Sequence, residues 1–213
     1  FFASLAPIII VLFSLQGRAA GPSSPVHADS KQAAAAFDEG QSAQQRGDLN
    51  SAVRHYSNAI AADGSLYQAY YQRATALLGL GRDKEAEADL KKASELEPKF
   101  ARAHRALGQI LLDRGATEDA KRELARAIEL EPTLTGVRIY YASALLRSNE
   151  PQPAIEHLRF AIAQKEEVPL AYALLGLAEE RTGKPAEAFA DYSRAIEMDA
   201  ANAIAREGRG RIF

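Results

Sequence analysis

The sequence predicts an all-α fold of five tandem helical hairpins followed by a short C-terminal helix. Three features carry this prediction. Alanines recur every 34 residues without insertion or deletion, at Ala59, Ala93, Ala127, Ala161 and Ala195. Small residues also recur in the same register seven and nineteen residues before each of these alanines. Finally, one position in every unit holds a glycine or an asparagine: Gly47, Gly81, Gly115, Asn149 and Gly183. Such internal periodicity is the signature of a repeat architecture.

Each unit contains two apolar-periodic segments of helical length on either side of this glycine or asparagine. The units comprise residues 33–66, 67–100, 101–134, 135–168 and 169–202. Glycine tolerates the left-handed backbone that closes a helix, and asparagine is its usual substitute, so Asn149 indicates a helix C-cap. Pro151 and Pro185 suit a first helical turn. Pro98 and Pro132 end units because proline cannot continue a helix. Every unit is therefore predicted to be a helical hairpin.

The second helix of each unit has a clear buried stripe. The alanines that recur every 34 residues are called the seam alanines below. One large side chain stands three residues before each of them: Tyr56, Leu90, Leu124, Leu158 and Tyr192. Spacings of three, four and seven place such residues on one helix face. Alanines beside them allow two helix backbones to approach closely, so a larger residue at Ala127 should overpack the seam.

The pattern resembles that of tetratricopeptide repeat proteins, most fully in residues 101–134, which hold Leu107, Gly108, Gly115, Ala120, Leu124, Ala127 and Pro132 at matching positions. The resemblance covers residues 33–202. It implies a right-handed α-solenoid whose first helices line a concave face that binds peptides or protein segments. The fourth position of the family pattern, usually aromatic, departs in three units, where it is Ala36, His104 and Arg138.

Carrying the family's groove positions over residue by residue predicts a partner-binding groove, called the predicted groove below. Its members are Gln68, Tyr71, Gln72, Arg102, Arg105, Gln109, Tyr140, Ser143 and Arg147. The same positions also place Phe37, Gln41, Gln44, Thr75, Leu112, Ile139, Leu170, Leu174, Leu177 and Arg181 on this face. Arginine binds carboxylates with a bidentate fork, and tyrosine is a common interface anchor. The competing interpretation is an ordinary solvated helix surface.

The family subset that clamps a C-terminal carboxylate of chaperones uses lysines and asparagines at set positions. Here Phe37 and Gln41 occupy the first two of those positions. The sequence therefore argues against that particular chaperone-tail function.

Both ends of the chain lie outside the five units. Residues 1–15 are almost entirely apolar and are followed by a polar, proline-containing stretch. An apolar run of this length fits a signal-peptide core and is short for a membrane span. Residues 1–28 are interpreted as a signal peptide, or as a membrane anchor with a polar linker. This predicts an exported or membrane-anchored protein. Residues 203–213 are interpreted as a capping helix or as part of a sixth repeat.

The composition gives no indication of a nucleic-acid, metal or catalytic site. Lys and Arg number 26 against 28 Asp and Glu, which gives a net charge of −2 and no argument for nucleic-acid binding. Cysteine is absent, which excludes disulfides and thiolate chemistry. Four histidines lack the spacing of a metal-binding pair, and His55 and His157, which share a repeat position, are expected on solvated surfaces. No catalytic residue, cofactor site or metal site is predicted.

The sequence thus favours a non-catalytic scaffold, with no enzyme activity, that binds a protein or peptide in the predicted groove, in the bacterial envelope. The alternative is the repeat region of a longer enzyme, such as a glycosyltransferase or peptidase. Self-association through the apolar C-terminal face, where Leu174 and Leu177 lie, is a third possibility.

Overall fold

The computed structural model describes residues 26–164 and 168–212, with side chains from residue 29 onward. Every regular element in these ranges is an α-helix, which confirms the predicted all-α class. The helices are α1 (Val26–Gln45), α2 (Leu49–Ala62), α3 (Tyr67–Gly79), α4 (Asp83–Leu96), α5 (Ala101–Asp113), α6 (Thr117–Leu130), α7 (Val137–Arg147), α8 (Pro151–Ala163), α9 (Pro169–Arg181), α10 (Pro185–Met198) and α11 (Ala203–Ile212).

The helices form two layers. Odd-numbered helices pair with the following even-numbered ones as hairpins, and each hairpin packs on the next. Among the odd-numbered helices, α1 contacts α3, and α7 contacts both α5 and α9. Because these first helices also touch one another across units, we place their layer on the inner side of the solenoid.

Each hairpin turn closes with the same backbone motif. Gly47, Gly81, Gly115, Asn149 and Gly183 all have positive φ, between 59° and 78°. The residue after each donates its amide to a carbonyl five residues earlier, as in the 2.9 Å bond from Arg82 N to Leu77 O. This bond satisfies a carbonyl that would otherwise be orphaned at the helix end. The predicted C-cap at Asn149, with φ 59°, is therefore confirmed.

Small residues occupy the places where the two helices of a hairpin touch. All five seam alanines are essentially inaccessible to solvent. A β-carbon on Gly108 would lie 2.5 Å from Cγ of Leu124, and one on Gly40 would lie 2.6 Å from the ring of Tyr56. Large side chains on the second helix therefore fill the space that glycine leaves on the first.

The C-terminal helix packs on the fifth hairpin. Ala205 and Gly208 of α11 are buried, and Ala205 joins a core cluster with Tyr192. Ile212 is partly buried against this cluster, whereas Ile204 is 36% exposed. Arg211 binds Glu180 of α9 at 2.8 Å.

Two helix starts differ from the regular spacing. Helix α7 begins at Val137, two residues later in its unit than α3, α5 and α9, because Gly136 takes a left-handed conformation with φ 77°. Helix α1 begins at Val26, inside the segment assigned to the polar linker. The apolar run 1–15 lies outside the described residues. Among the helices that the structure describes, none is long and apolar enough to cross a bilayer.

Candidate functional site

The centre of the predicted groove lies where α3, α5 and α7 follow one another. Tyr71 of α3 packs edge-on against Phe100, with ring centroids 4.9 Å apart, and both Tyr71 and Tyr140 pack on the same core cluster. Around Gly136, a β-carbon would lie 3.5 Å from the Tyr140 ring and 3.7 Å from Nη1 of Arg105. Arg105 and Tyr140 thus both lie close to Gly136, the residue before the late start of α7.

The two arginines of α5 have no carboxylate partner among the residues with described side chains. Arg105 donates from Nη1 to the carbonyl oxygen of Thr135 at 3.3 Å, and its Nε is buried without a hydrogen-bond partner. Arg102, one turn earlier, is exposed, and no described side chain binds it. Guanidinium groups with unused donors can bind an external carboxylate.

Glutamine side chains form a second, polar part of the face. A cleft of about 270 Å³ between α1 and α3 is lined by Gln72 together with Gln41, Gln44, Gln45 and Tyr56. Gln44 is already engaged, because its Oε1 accepts the Tyr56 hydroxyl at 2.8 Å. Gln68 of α3, Gln109 of α5 and Ser143 of α7 are half-buried. The glutamines of the cleft thus lie toward the N-terminal end, whereas Arg102 and Arg105 lie in the middle of the array.

Arg147 has a structural task that sequence reasoning missed. Its Nη1 donates to the carbonyl oxygen of Leu112 in the last turn of α5. Arg181, which is 34 residues later, donates in the same way to Leu146 O at 2.6 Å in the last turn of α7. A cation suits the negative end of a helix dipole. The signal was present in the sequence, since both arginines end a first helix at one repeat position.

Several apolar residues assigned to the face are not on a surface. Leu112, Ile139 and Leu174 are between 3% and 5% exposed, and they belong to the hydrophobic core. Leu177 is partly buried against two core clusters. The assignment was wrong for the first three because neighbouring first helices pack closely enough to cover them. Leu174 is therefore not available for self-association, whereas Leu177 remains partly exposed.

Charge is divided between the two helix layers. Helices α3, α5 and α7 carry five arginines and one acid, Asp113. Their hairpin partners α4, α6 and α8 carry ten acidic and seven basic residues. A chain of net charge −2 therefore presents a positively charged first-helix layer in its middle units.

A column of ionisable side chains lies between the helices of the hairpins. One repeat position holds His55, Asp89, Glu123, His157 and Asp191. His55 meets Glu39 at 2.9 Å, and Arg73 binds Asp89 with two 2.7 Å bonds. Burial, together with the nearby Arg138 cation, lowers the pKa of His157. His55 and His157 are thus half-buried members of this column, which corrects the expectation of solvated positions.

Among the residues that the structure describes, no group of three or more His, Asp or Glu side chains is placed to hold a metal ion. What the face does provide is aromatic rings, amides and guanidinium groups, which are the side chains of a binding surface.

Comparison with known families agrees with the repeat geometry. Tetratricopeptide repeat family models match residues 43–110 and residues 142–203, together more than half of the chain. The chain is a tetratricopeptide repeat protein.

Curated relatives of this repeat protein match it only in part. A tetratricopeptide repeat and J domain-containing co-chaperone from Fusarium oxysporum is 42% identical over 65 residues, covering 30% of this chain and 12% of the relative. DnaJ homolog subfamily C member 3 from Gallus gallus is 34% identical over 110 residues, covering 50% and 21%. The chain therefore spans about a fifth or less of the length of these relatives.

Solved structures match the tetratricopeptide repeat protein over most of its length. A crystal structure of MamA has a TM-score of 0.70 at 25% identity and covers 81% of this chain and 94% of its own. YrrB, described as a TPR protein with an unusual peptide-binding site, has a TM-score of 0.74 at 19% identity, covering 87% and 95%. PilF from Pseudomonas aeruginosa has a TM-score of 0.70 at 18% identity, covering 87% and 90%. The last two likenesses show the fold alone.

Proposed function

We propose that this protein is a non-catalytic scaffold whose first-helix face binds an acidic segment of another protein. The observation that carries the proposal is the pair Arg102 and Arg105, which have no carboxylate partner among the residues described. Tyr71 and Tyr140 supply rigid aromatic surface beside them. An extended segment with Asp or Glu near aliphatic or aromatic residues matches both features.

The arginines of α6, a second helix, are paired with acids on the same helix, unlike Arg102 and Arg105, and this contrast supports the proposal. Arg122 binds Asp119 at 2.7 Å, and Arg126 binds Glu129 at 3.0 Å, each one turn away on α6. Such exposed pairs keep the cation occupied, although they contribute little to stability. Arg102 and Arg105 lack an acid on α5 at that spacing, so their charge is available to a partner.

A binding experiment tests the proposal. We would measure fluorescence anisotropy with labelled twelve-residue peptides that contain glutamate and leucine, and with matched peptides in which glutamine replaces glutamate. Replacing Arg102 and Arg105 together by alanine should weaken glutamate-peptide binding at least about tenfold, since charge-assisted hydrogen bonds are lost. Arg122→Ala with Arg126→Ala is the matched control and should bind like the parent. Equal binding of glutamate and glutamine peptides would contradict the proposal.

The location is a separate proposal, based on the composition of residues 1–28. We propose that this segment exports the chain to the bacterial envelope or tethers it to a membrane there. Fractionation of cells followed by mass spectrometry of the mature N-terminus tests it. Recovery in the cytosol with an intact apolar segment would count against it.

A second candidate is the repeat region of a longer protein, either a co-chaperone or an enzyme. The observation favouring the co-chaperone is the match to J domain-containing relatives, in which the similar segments are a small part of a longer chain. Reading the gene on both sides of the present sequence tests this candidate. A J domain or catalytic domain in the same reading frame would support it, whereas stop codons close to both ends would exclude it.

A further inference from the structure

The first-helix layer changes from cationic to apolar toward its C-terminal end. Arg102 and Arg105 of α5 supply charge in the middle, whereas residues 169–178 of α9 include no acidic or basic side chain. On this apolar part, Leu170 of α9 is 39% exposed and Ile204 of α11 is 36% exposed. Exposed aliphatic side chains that are scattered singly are normal on any protein, so their arrangement decides whether they form a site.

Leu170 and Ile204 occupy the helix position of Arg102. Each of the three is the second residue of its helix, in α9, α11 and α5 respectively. Steps of 34 residues lead from Arg102 through Gly136 to Leu170 and Ile204. Equivalent positions on the first helices of a repeat array face the same side of the array. These residues therefore form one row, called the second-position row below.

The second-position row is continuous across α7. Helix α7 contacts both α5 and α9, and α9 contacts α11. In this unit the position is held by Gly136, which has no side chain, and the ring of Tyr140 lies 3.5 Å from the place where its β-carbon would be. A segment that follows the row therefore leaves the guanidinium group of Arg102, crosses a glycine beside a tyrosine ring, and reaches the two aliphatic side chains.

On the other side of Arg102 the second-position row is polar. Its neighbour there is Gln68 of α3, and beyond it lies the cleft lined by Gln41, Gln44 and Gln72. Amide side chains donate and accept hydrogen bonds, so they match polar groups rather than leucine or isoleucine. The aliphatic part of the row thus lies on one side of the arginines only.

Helix packing sets the spacing along the second-position row. Packed helices lie about 8–10 Å apart, so α9 and α11 lie about two and about three such steps from α5, at about 16–20 Å and about 24–30 Å. An extended chain advances about 3.3 Å per residue. A bound segment therefore reaches Leu170 about six residues, and Ile204 about eight residues, after it leaves Arg102.

We propose that the partner of this protein is an acidic segment with an aliphatic flank: its carboxylates bind Arg102 and Arg105, and aliphatic side chains about six and about eight residues away contact Leu170 and Ile204. This inference rests on the proposed binding function and specifies its partner. Charge complementarity selects the acidic part, because these arginines have no carboxylate partner among the residues described. Continuity of the second-position row selects the aliphatic part.

Fluorescence anisotropy with the full chain and labelled peptides tests the proposal. Three peptides share one length and composition, with two glutamates and two leucines in a glycine–serine background. The leucines stand six and eight residues after the glutamates in the first peptide, six and eight residues before them in the second, and directly beside them in the third. At least one of the first two should bind at least about fivefold tighter than the third, because its leucines bury apolar surface on Leu170 and Ile204.

Leu170→Ser combined with Ile204→Ser should abolish this gain, because the aliphatic part of the second-position row is then lost. The matched control is Leu78→Ser, which removes a leucine of similar exposure, 36%, from the end of α3, away from the row. The control variant should keep the full gain.

The inference and the proposed function fail in different ways. Glutamine versions of all three peptides report on acidic recognition alone. If glutamate peptides bind better than glutamine peptides but the leucine spacing has no effect, the aliphatic flank is overturned and the proposed function stands. Equal binding of glutamate and glutamine versions overturns both. A spacing effect that survives Leu170→Ser with Ile204→Ser also overturns the aliphatic flank.

Discussion

The ring of Tyr192 fills the space in which a side chain on Gly208 would begin. A β-carbon built on Gly208 would lie 2.1 Å from Cζ of the tyrosine, far inside contact distance. Tyr192 also meets Gly176 on the opposite helix, where the corresponding distance is 2.8 Å to the ring. One tyrosine thus fits between two glycines and joins α9, α10 and α11.

Gly208→Ala should therefore weaken the attachment of α11. We expect a loss of about 1–3 kcal/mol, because the tyrosine ring or the helix must move. The control is Gly210→Ala, two residues later, where a β-carbon meets nothing within 4 Å. That variant should gain up to about 1 kcal/mol from better helix propensity. Urea unfolding of both variants checks the prediction, and equal stability would contradict it.

Asn149 should respond to substitution according to its left-handed backbone. Asn149→Ala is expected to lower the free energy of unfolding by about 1 kcal/mol, because an alanine at φ 59° is strained. Asn149→Gly should be neutral or stabilising, since the four equivalent turns already use glycine. Thermal unfolding of the two variants side by side is the measurement. An alanine variant as stable as the glycine variant would show that the strain is relieved locally.

Ala127 should not accept a larger side chain. It is fully buried in the central cluster that contains Leu107 and Leu124. Ala127→Leu is expected to cost about 1–3 kcal/mol through overpacking. Ala190→Leu, at an exposed site on α10, is the matched control and should change stability little. Denaturant titration compares them, and a leucine tolerated equally at both sites would refute the seam packing.

Binding of an acidic peptide should weaken as salt is added. Exposed charges more than about 8 Å apart are largely screened at physiological ionic strength, and closer pairs are weakened progressively. Anisotropy titrations at 50 and 500 mM sodium chloride measure the effect. The Arg102→Ala, Arg105→Ala variant should show a shallower salt dependence than the parent. An identical slope would mean that other cations provide the attraction.

The five hairpins were predictable because each uses the same kind of turn residue and the same kind of helix contact. Each turn needs a left-handed residue and each seam needs a small one, so the sequence repeats these residues at fixed spacing. The late start of α7 was not predicted. Gly136 stands outside the repeat pattern, and its effect depends on a left-handed φ that spacing alone does not reveal.

The face of the first helices was harder to predict than the seams. Repeat positions predict that Arg102 and Tyr140 lie on this face, and both are at least partly exposed. Repeat positions do not show how closely adjacent first helices pack, so Leu112 and Ile139 were placed on a surface although they are buried.

Among the described helices, tertiary contacts join each helix to the next one or two along the chain. Within residues 26–164 and 168–212, no such contact joins α1 to α11, so tension applied at these two helices is carried by one hairpin interface after another. We therefore expect single-molecule stretching to extend the protein in several small steps, with the weakest hairpin yielding first.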